Sequence, residues 1–183
     1  MNSKLTYASL PSEIKKIANE SLGLGVLRSL FSYSNTYHLI IKISDGIFIG
    51  FALYHFHQTR MKDGSVYTTG VIDCVCVSTP YRKEGFGTLL TFGVLRKMSA
   101  YYGADRVELL LKTPSIDDRD GEPGVPLIGS EDLLFCLGFR KVEIFDKYYE
   151  NQSKKYGYDC LFCGNRPDTC RAVLYAINDR GTE

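Results

Sequence analysis

Several groups of residues in this chain have types and spacings that can do chemistry. The first is Arg82-Lys83-Glu84-Gly85-Phe86-Gly87-Thr88. Two glycines one residue apart remove the Cβ atoms that would hold an anion off the backbone N–H groups. An amphipathic run follows, and a helix starting there has first-turn N–H groups without intrahelical partners and a dipole that favours negative charge. Phosphate is the expected guest. The second is Asp73, the single carboxylate in residues 71–77, which read Val-Ile-Asp-Cys-Val-Cys-Val. An acidic side chain in so apolar a stretch must face a wet cleft or suffer desolvation, which raises its pKa toward the range useful for proton transfer. The third is Cys160-Leu161-Phe162-Cys163-Gly164, followed by Cys170. A Cys-x-x-Cys turn ending in glycine aims two thiolates at one metal, which makes structural zinc a candidate. A closed site needs a fourth ligand, from Asp159, Asp168, a distant histidine or the partner chain of a homodimer; redox pairing and free loop thiols are the competing readings. Finally, His55-x-His57 projects two rings from one face of a strand, where they could bind metal or act as a base.

The elements that position these residues follow from periodicity. Residues 71–77 are apolar and β-branched and suit a strand buried on both faces. Phe86, Leu90, Val94, Met98 and Tyr101 share one face of a helix that Gly103 stops. Upstream, residues 9–22 look helical, with Ser9 as cap, Pro11 in the first turn and Ile14, Ile17 and Ala18 on one face. A second short helix covers about 24–31, and a short edge strand is expected at 5–8. Residues 37–43 and 47–56 are strands joined by Asp45-Gly46, which tolerate the positive φ of a hairpin turn. Residues 62–65 make the next turn, so three strands form an antiparallel meander. Residues 107–112 are a buried strand, parallel to 71–77 because a helix links the two. Residues 113–130 hold Asp117, Asp118, Asp120 and Glu122 among prolines and glycines and read as a long acidic loop. A short helix from Ser130 ends at Gly138-Phe139; residues 140–148 and 172–177 are strands, with a polar, turn-rich segment at 154–169. The fold class is α/β (α+β): a mixed, mostly antiparallel sheet with helices on both faces.

This order, together with Val77-x4-Arg82-x2-Gly85-x-Gly87 and the Leu137-Gly138-Phe139 triplet, resembles the GNAT superfamily of acyl-CoA-dependent N-acetyltransferases. The resemblance covers roughly residues 37–177 and fits the N-terminal helices less specifically. It implies acetyl-CoA as co-substrate, with the pyrophosphate over the turn from Arg82 to Thr88, including Lys83, Glu84 and Phe86. Val75 and Val77 would hold the pantetheine arm through their main chain, because in this family the strand after the helix splays from its parallel neighbour. The family often supplies a basic carboxylate on the strand before the turn, which points to Asp73, with Glu108 on the next strand as the alternative. A tyrosine commonly stands four residues before the glycine of the triplet; here that position is Leu134, which cannot donate a proton. Cys136 has a weak donor, and Tyr148 or Tyr149 from the next strand could serve as general acid.

Bulk properties exclude several classes. The 183 residues are enough for one well-filled core, so one domain is expected over 1–183, with N-terminal helices in 1–36 and a cysteine-containing loop at 154–170. The 22 Lys+Arg against 21 Asp+Glu argue against electrostatic capture of nucleic acid or membrane by the whole surface. No run of about 18 apolar residues and no signal-peptide pattern is seen, so a cytoplasmic, soluble protein with reduced thiols is expected, Cys74 and Cys76 acting as small hydrophobes. The acceptor is expected to be a primary amine, of a small molecule or a macromolecule, bounded by the first helices and the loops at 113–130 and 154–170. The acidic loop suits a cationic amine. Two other readings stand beside this one. An acyl-CoA-binding module without turnover would suit Leu134, and modification of a nucleic acid or protein partner would use the local basic patch of Lys154, Lys155, Arg166 and Arg171.

Overall fold

The computed structural model describes residues 5–31, 37–102, 104–113, 133–146 and 171–178. The first helix, α1 (Ser12–Leu22), buries Ile14, Ile17 and Ala18, the face its periodicity predicts. Its expected cap is not at its start. Pro11 holds the N-cap position with no side-chain cap, and Ser9 Oγ donates instead to the Thr6 carbonyl at 2.8 Å. That Thr6–Ser9 turn also replaces the edge strand expected at 5–8, since hydroxyls that bond the local backbone offer the chain an alternative to a ladder. The second helix, α2 (Val26–Leu30), is shorter than expected because Leu24 lies in a turn between Gly23 and Gly25, both at positive φ.

Next come β1 (Tyr37–Ser44), β2 (Ile47–Arg60) and β3 (Val66–Val77), the predicted antiparallel meander. Asp45 and Gly46 turn the first hairpin at φ 50° and 78°. In the second turn Asp63 Oδ1 accepts from the Ser65 N–H at 3.0 Å and from its hydroxyl at 2.7 Å. This second hairpin outruns the apolar pattern. β2 continues past Phe56 to Arg60, and β3 starts at Val66 rather than at 71, with pairing maintained to Arg60↔Val66. Ladder hydrogen bonds satisfy the backbone whether or not the side chains are buried, so apolar alternation marks the buried part of a strand and not its end.

After a 3-10 turn at Thr79–Tyr81 comes α3 (Phe86–Tyr102), then β4 (Arg106–Thr113), which runs parallel to β3 as the connecting helix requires. Asp105 fixes the register of that pairing: its Oδ2 accepts from the Thr68 N–H at 2.9 Å, and its own N–H donates to the Thr68 carbonyl at 2.9 Å. Residues 133–136 form a helical turn that Gly138 ends at φ 88°, with the Phe139 N–H on the Leu134 carbonyl. The last strands are β5 (Arg140–Asp146) and β6 (Arg171–Asn178), and the sheet order is β1-β2-β3-β4-β6-β5. Among the described residues only the β3–β4 pairing is parallel, so the sheet is mixed and mostly antiparallel, with helices on both faces.

Each face has its own core. Leu90, Val94 and Met98 of α3 pack on Ala52, Tyr54, Ile72, Val107 and Leu109. On the other face Ile14, Ile17 and Leu27 of α1 and α2 pack on Phe51, Leu53, Cys74 and Cys76. Cys74 and Cys76 are buried free thiols, as the strand pattern implies, and the hydrogen bond between them and burial push the Cys74 thiol well up. Among the described residues no helix is long and apolar enough to cross a membrane.

Candidate active site

The glycine turn lies where β3 hands the chain to α3. Lys83 and Gly85 both take positive φ, 68° and 82°. Gly85 opens the helix, its carbonyl accepting from the Leu89 N–H at 3.0 Å, so the N–H groups of Phe86, Gly87 and Thr88 fall in the unpartnered first turn. A Cβ built on Gly85 or on Gly87 would meet nothing within 4 Å. The space before both glycines is open, as an anion that approaches the backbone requires.

Beside the turn, two parallel strands part. The β3–β4 ladder runs from Thr69↔Arg106 to Ile72↔Leu109 and ends there, although β3 continues to Val77 and β4 to Thr113. On the other side of β3, the Ser78 N–H donates to the Ile49 carbonyl at 2.8 Å. Bonded and non-bonded pairs alternate along an antiparallel ladder, so Val77 and Val75 turn their N–H and C=O groups away from β2 and toward the parted side. The resemblance to GNAT acetyltransferases assigns these two valines to an arm held through the main chain. One qualification comes from Arg82, whose Nε donates to the Val77 carbonyl at 3.1 Å while Nη2 donates to Ser21 Oγ of α1 at 3.1 Å. The Arg82 side chain therefore ties the turn to the first helix, a role that sequence spacing did not suggest.

A break in the β2–β3 register shapes the other half of the site. Leu53 pairs with Cys74 and Tyr54 with Ile72, so Asp73 has no residue opposite it and forms a bulge. Ile72 faces α3, whereas Asp73 and Cys74 both face the side of α1 and α2. There Asp73 Oδ2 lies 2.7 Å from His55 Nδ1, with the two side chains 8% and 14% exposed. Burial pushes the Asp73 carboxyl above its ordinary range, and the His55 contact only partly offsets this. Desolvation, the cause expected from the sequence, is thus the larger effect.

Glu108 stands on the same face, since its neighbours Val107 and Leu109 pack toward α3. It pairs with Val71, which pairs with His55, so the three form one row across the sheet. Strand spacing puts His55 and Glu108 about 10 Å apart at the backbone. Arg106 Nε is 2.8 Å from Glu108 Oε1, but its N–H is not aimed at that oxygen and finds no aligned acceptor among the described residues. His57, next on this face after His55, is exposed. Leu134, in the position the family often gives to tyrosine, is buried in the α3-side core with Phe139 and Tyr175. Cys136 is exposed.

Tyr148, Tyr149, Cys160, Cys163, Cys170, Lys154, Lys155, Arg166 and the acidic loop lie outside the described residues. Among the described residues no group of three or more His, Cys, Asp or Glu side chains is arranged to hold a metal, His55 and His57 included. A cavity of about 600 Å³ opens between α1, the β1–β2 turn and residues 78–80, lined by Glu13, Lys16, Glu20, Phe48 and Thr79 among others. Of the first two helices α1 borders this cavity, and neither Asp73, His55 nor Glu108 lines it.

Parted parallel strands ending in an open glycine turn are the arrangement that the resemblance to GNAT acetyltransferases implies, and the comparisons agree with that resemblance. The Acetyltransferase (GNAT) family model matches residues 10–117, more than half of the chain, and the protein belongs to that family. Among solved structures, an IAA acetyltransferase from Bacillus cereus ATCC 14579 is 18% identical, with 96% of this chain and 97% of that one covered and a TM-score of 0.62. A Bacillus subtilis acetyltransferase in complex with CoA is 17% identical, with 93% of each chain covered and a TM-score of 0.63. The ribosomal-protein-S18-alanine N-acetyltransferase from Escherichia coli is 14% identical, with 99% and 94% covered and a TM-score of 0.61. At these identities the likeness is one of fold. A comparison with curated proteins found no match.

Proposed function

We propose that this protein transfers an acetyl group, or a related acyl group, from acetyl-CoA directly to a primary amine. The observation that carries the reading is the parting of β3 and β4 beyond Ile72↔Leu109, with the open turn at Gly85 and Gly87 at the end of the gap. In it the pyrophosphate sits on the N–H groups of residues 86–88, and the pantetheine arm runs along Val75 and Val77. Those N–H groups have no helical partner to lose, and the valine main-chain groups face the gap. Asp73, at the bulge beside the gap, is the carboxylate that takes part in proton removal from the amine, directly or through a side chain it touches, and Glu108 is the alternative on the same face. The general acid is left to Tyr148 or to water, Leu134 being a core residue.

The acceptor enters from the face of α1 and α2, opposite α3. Both a protein amine, as in the similar Escherichia coli S18-alanine enzyme, and a small-molecule amine suit a site built on this fold. The test is release of the CoA thiol from acetyl-CoA in the presence of an amine panel that includes peptides with free N-termini and polyamines, alongside calorimetric titration of CoA. Acceptor-dependent release supports transfer. CoA binding with no release from any amine supports instead the binding module, the reading that the buried Leu134 favours.

A further inference from the structure

We propose that His55, rather than a carboxylate, is the group that takes the proton from the acceptor amine, with Asp73 as its positioning residue. This rests on the transfer reading above. The pair is formed by the β2–β3 pairing, which brings residues 18 apart together: Val71 lies opposite His55, and Asp73, two residues on, shares their face and leans diagonally onto His55. The bulge leaves Asp73 with no residue opposite it on β2, so its carboxylate can reach back to His55.

Geometry divides the roles. Asp73 is the more deeply buried of the two, and its Oδ2 is spent on the 2.7 Å contact with His55. With Asp73 ionised, that contact requires the imidazole proton on Nδ1, which leaves the lone pair on Nε2, at the far side of the ring. A carboxylate on Nδ1 also stabilises the imidazolium that forms when Nε2 takes a proton, the same division of labour found wherever a buried acid orients a histidine base. Glu108, the competing carboxylate, stands on β4 with Arg106 Nε 2.8 Å from its Oε1, and it does not touch the His55–Asp73 pair.

The step balances without a further donor. An ammonium acceptor loses one proton to His55 Nε2, and the neutral nitrogen then forms the N–C bond while the C–S bond breaks. The second proton shed by the nitrogen leaves with the departing sulfur as thiol, directly or through water, and His55 returns its own proton to solvent. A chain with leucine at position 134 can therefore complete the reaction.

The experiment compares wild type, His55→Ala and Asp73→Asn in amine-dependent thiol release, with CoA titration and thermal melting as controls. Removing the base lowers kcat/KM by about 100-fold or more, with CoA affinity unchanged, and added imidazole restores about tenfold of that loss in His55→Ala alone. In Asp73→Asn kcat falls while KM for the amine holds, and imidazole does not help. If His55→Ala is poorly folded, His55→Gln takes its place. Long-range 1H–15N spectra of the wild type should show the proton of His55 on Nδ1. Release within about threefold of wild type in the His55 variants, no rescue by imidazole, or a proton resident on Nε2 would each overturn the assignment while leaving the transfer reading intact. No release by wild type from any amine would overturn both.

Discussion

Burial pushes the Asp73 carboxyl upward and the His55 hydrogen bond pulls it back by less, so the ionised form is held in the folded protein at a net cost. The sign of the consequence follows from linkage. Asp73 keeps its proton to higher pH when folded than when unfolded, so its contribution to stability is present below the unfolded pKa and is lost as pH rises through the folded one. Asp73→Asn removes that loss. The melting temperature of the variant relative to wild type should therefore rise as pH is taken from about 4 to about 8, even as activity falls. Thermal melts over a pH series check this, and a difference that stays flat across the range would show that desolvation does not dominate at this residue. Burial of Asp73 thus runs against stability at neutral pH, a cost that the proposed part in proton transfer would offset.

At the level of elements, the β3–α3 connection has two glycines with different jobs. Gly85 has φ 82°, a backbone conformation that a side chain resists, whereas Gly87 lies within α3. Alanine at either position meets no protein atom within 4 Å. Gly85→Ala should cost about 1–2 kcal/mol of stability through the left-handed backbone alone. Gly87→Ala should leave stability unchanged or slightly raised, because alanine is the better helix former. Both methyl groups project into the space that a phosphate would fill, so each variant should bind CoA at least about tenfold more weakly, equivalent to about 1.4 kcal/mol. Melting and calorimetry on the two variants separate the effects. Unimpaired CoA binding in Gly87→Ala would count against the cradle.

At the scale of the whole molecule, the described residues form two separate cores, one on each face of the sheet they share. Ile14 on the α1 side and Met98 on the α3 side are both fully buried. Either one changed to alanine should cost about 2–5 kcal/mol. Because both cores rest on β2 and β3, each loss should lower the midpoint of one common unfolding transition, read by far-UV circular dichroism and by tyrosine fluorescence together. Two separated transitions would mean that the faces fold independently. The same scale shows where sequence reading stopped. Local signals sufficed for most elements and for the glycine turn: the glycines before α3, the apolar face of that helix, the Asp45-Gly46 turn and the stop at Gly138 are each written within a few residues, because helix starts, turns and caps are governed by near neighbours. They did not reach the capping of α1, where Ser9 turned to Thr6, or the length of the β2–β3 hairpin, where polar residues keep the ladder. The sequence also marked Asp73 and predicted the direction of its shift, and it noticed His55 separately. Only the tertiary structure joined them, through the offset at which β2 pairs with β3, and only it sent the Arg82 side chain to Ser21, 61 positions away. Contacts of that kind depend on which strands pair and by how many residues they are offset, and a single extra residue in one strand moves a side chain to the opposite face.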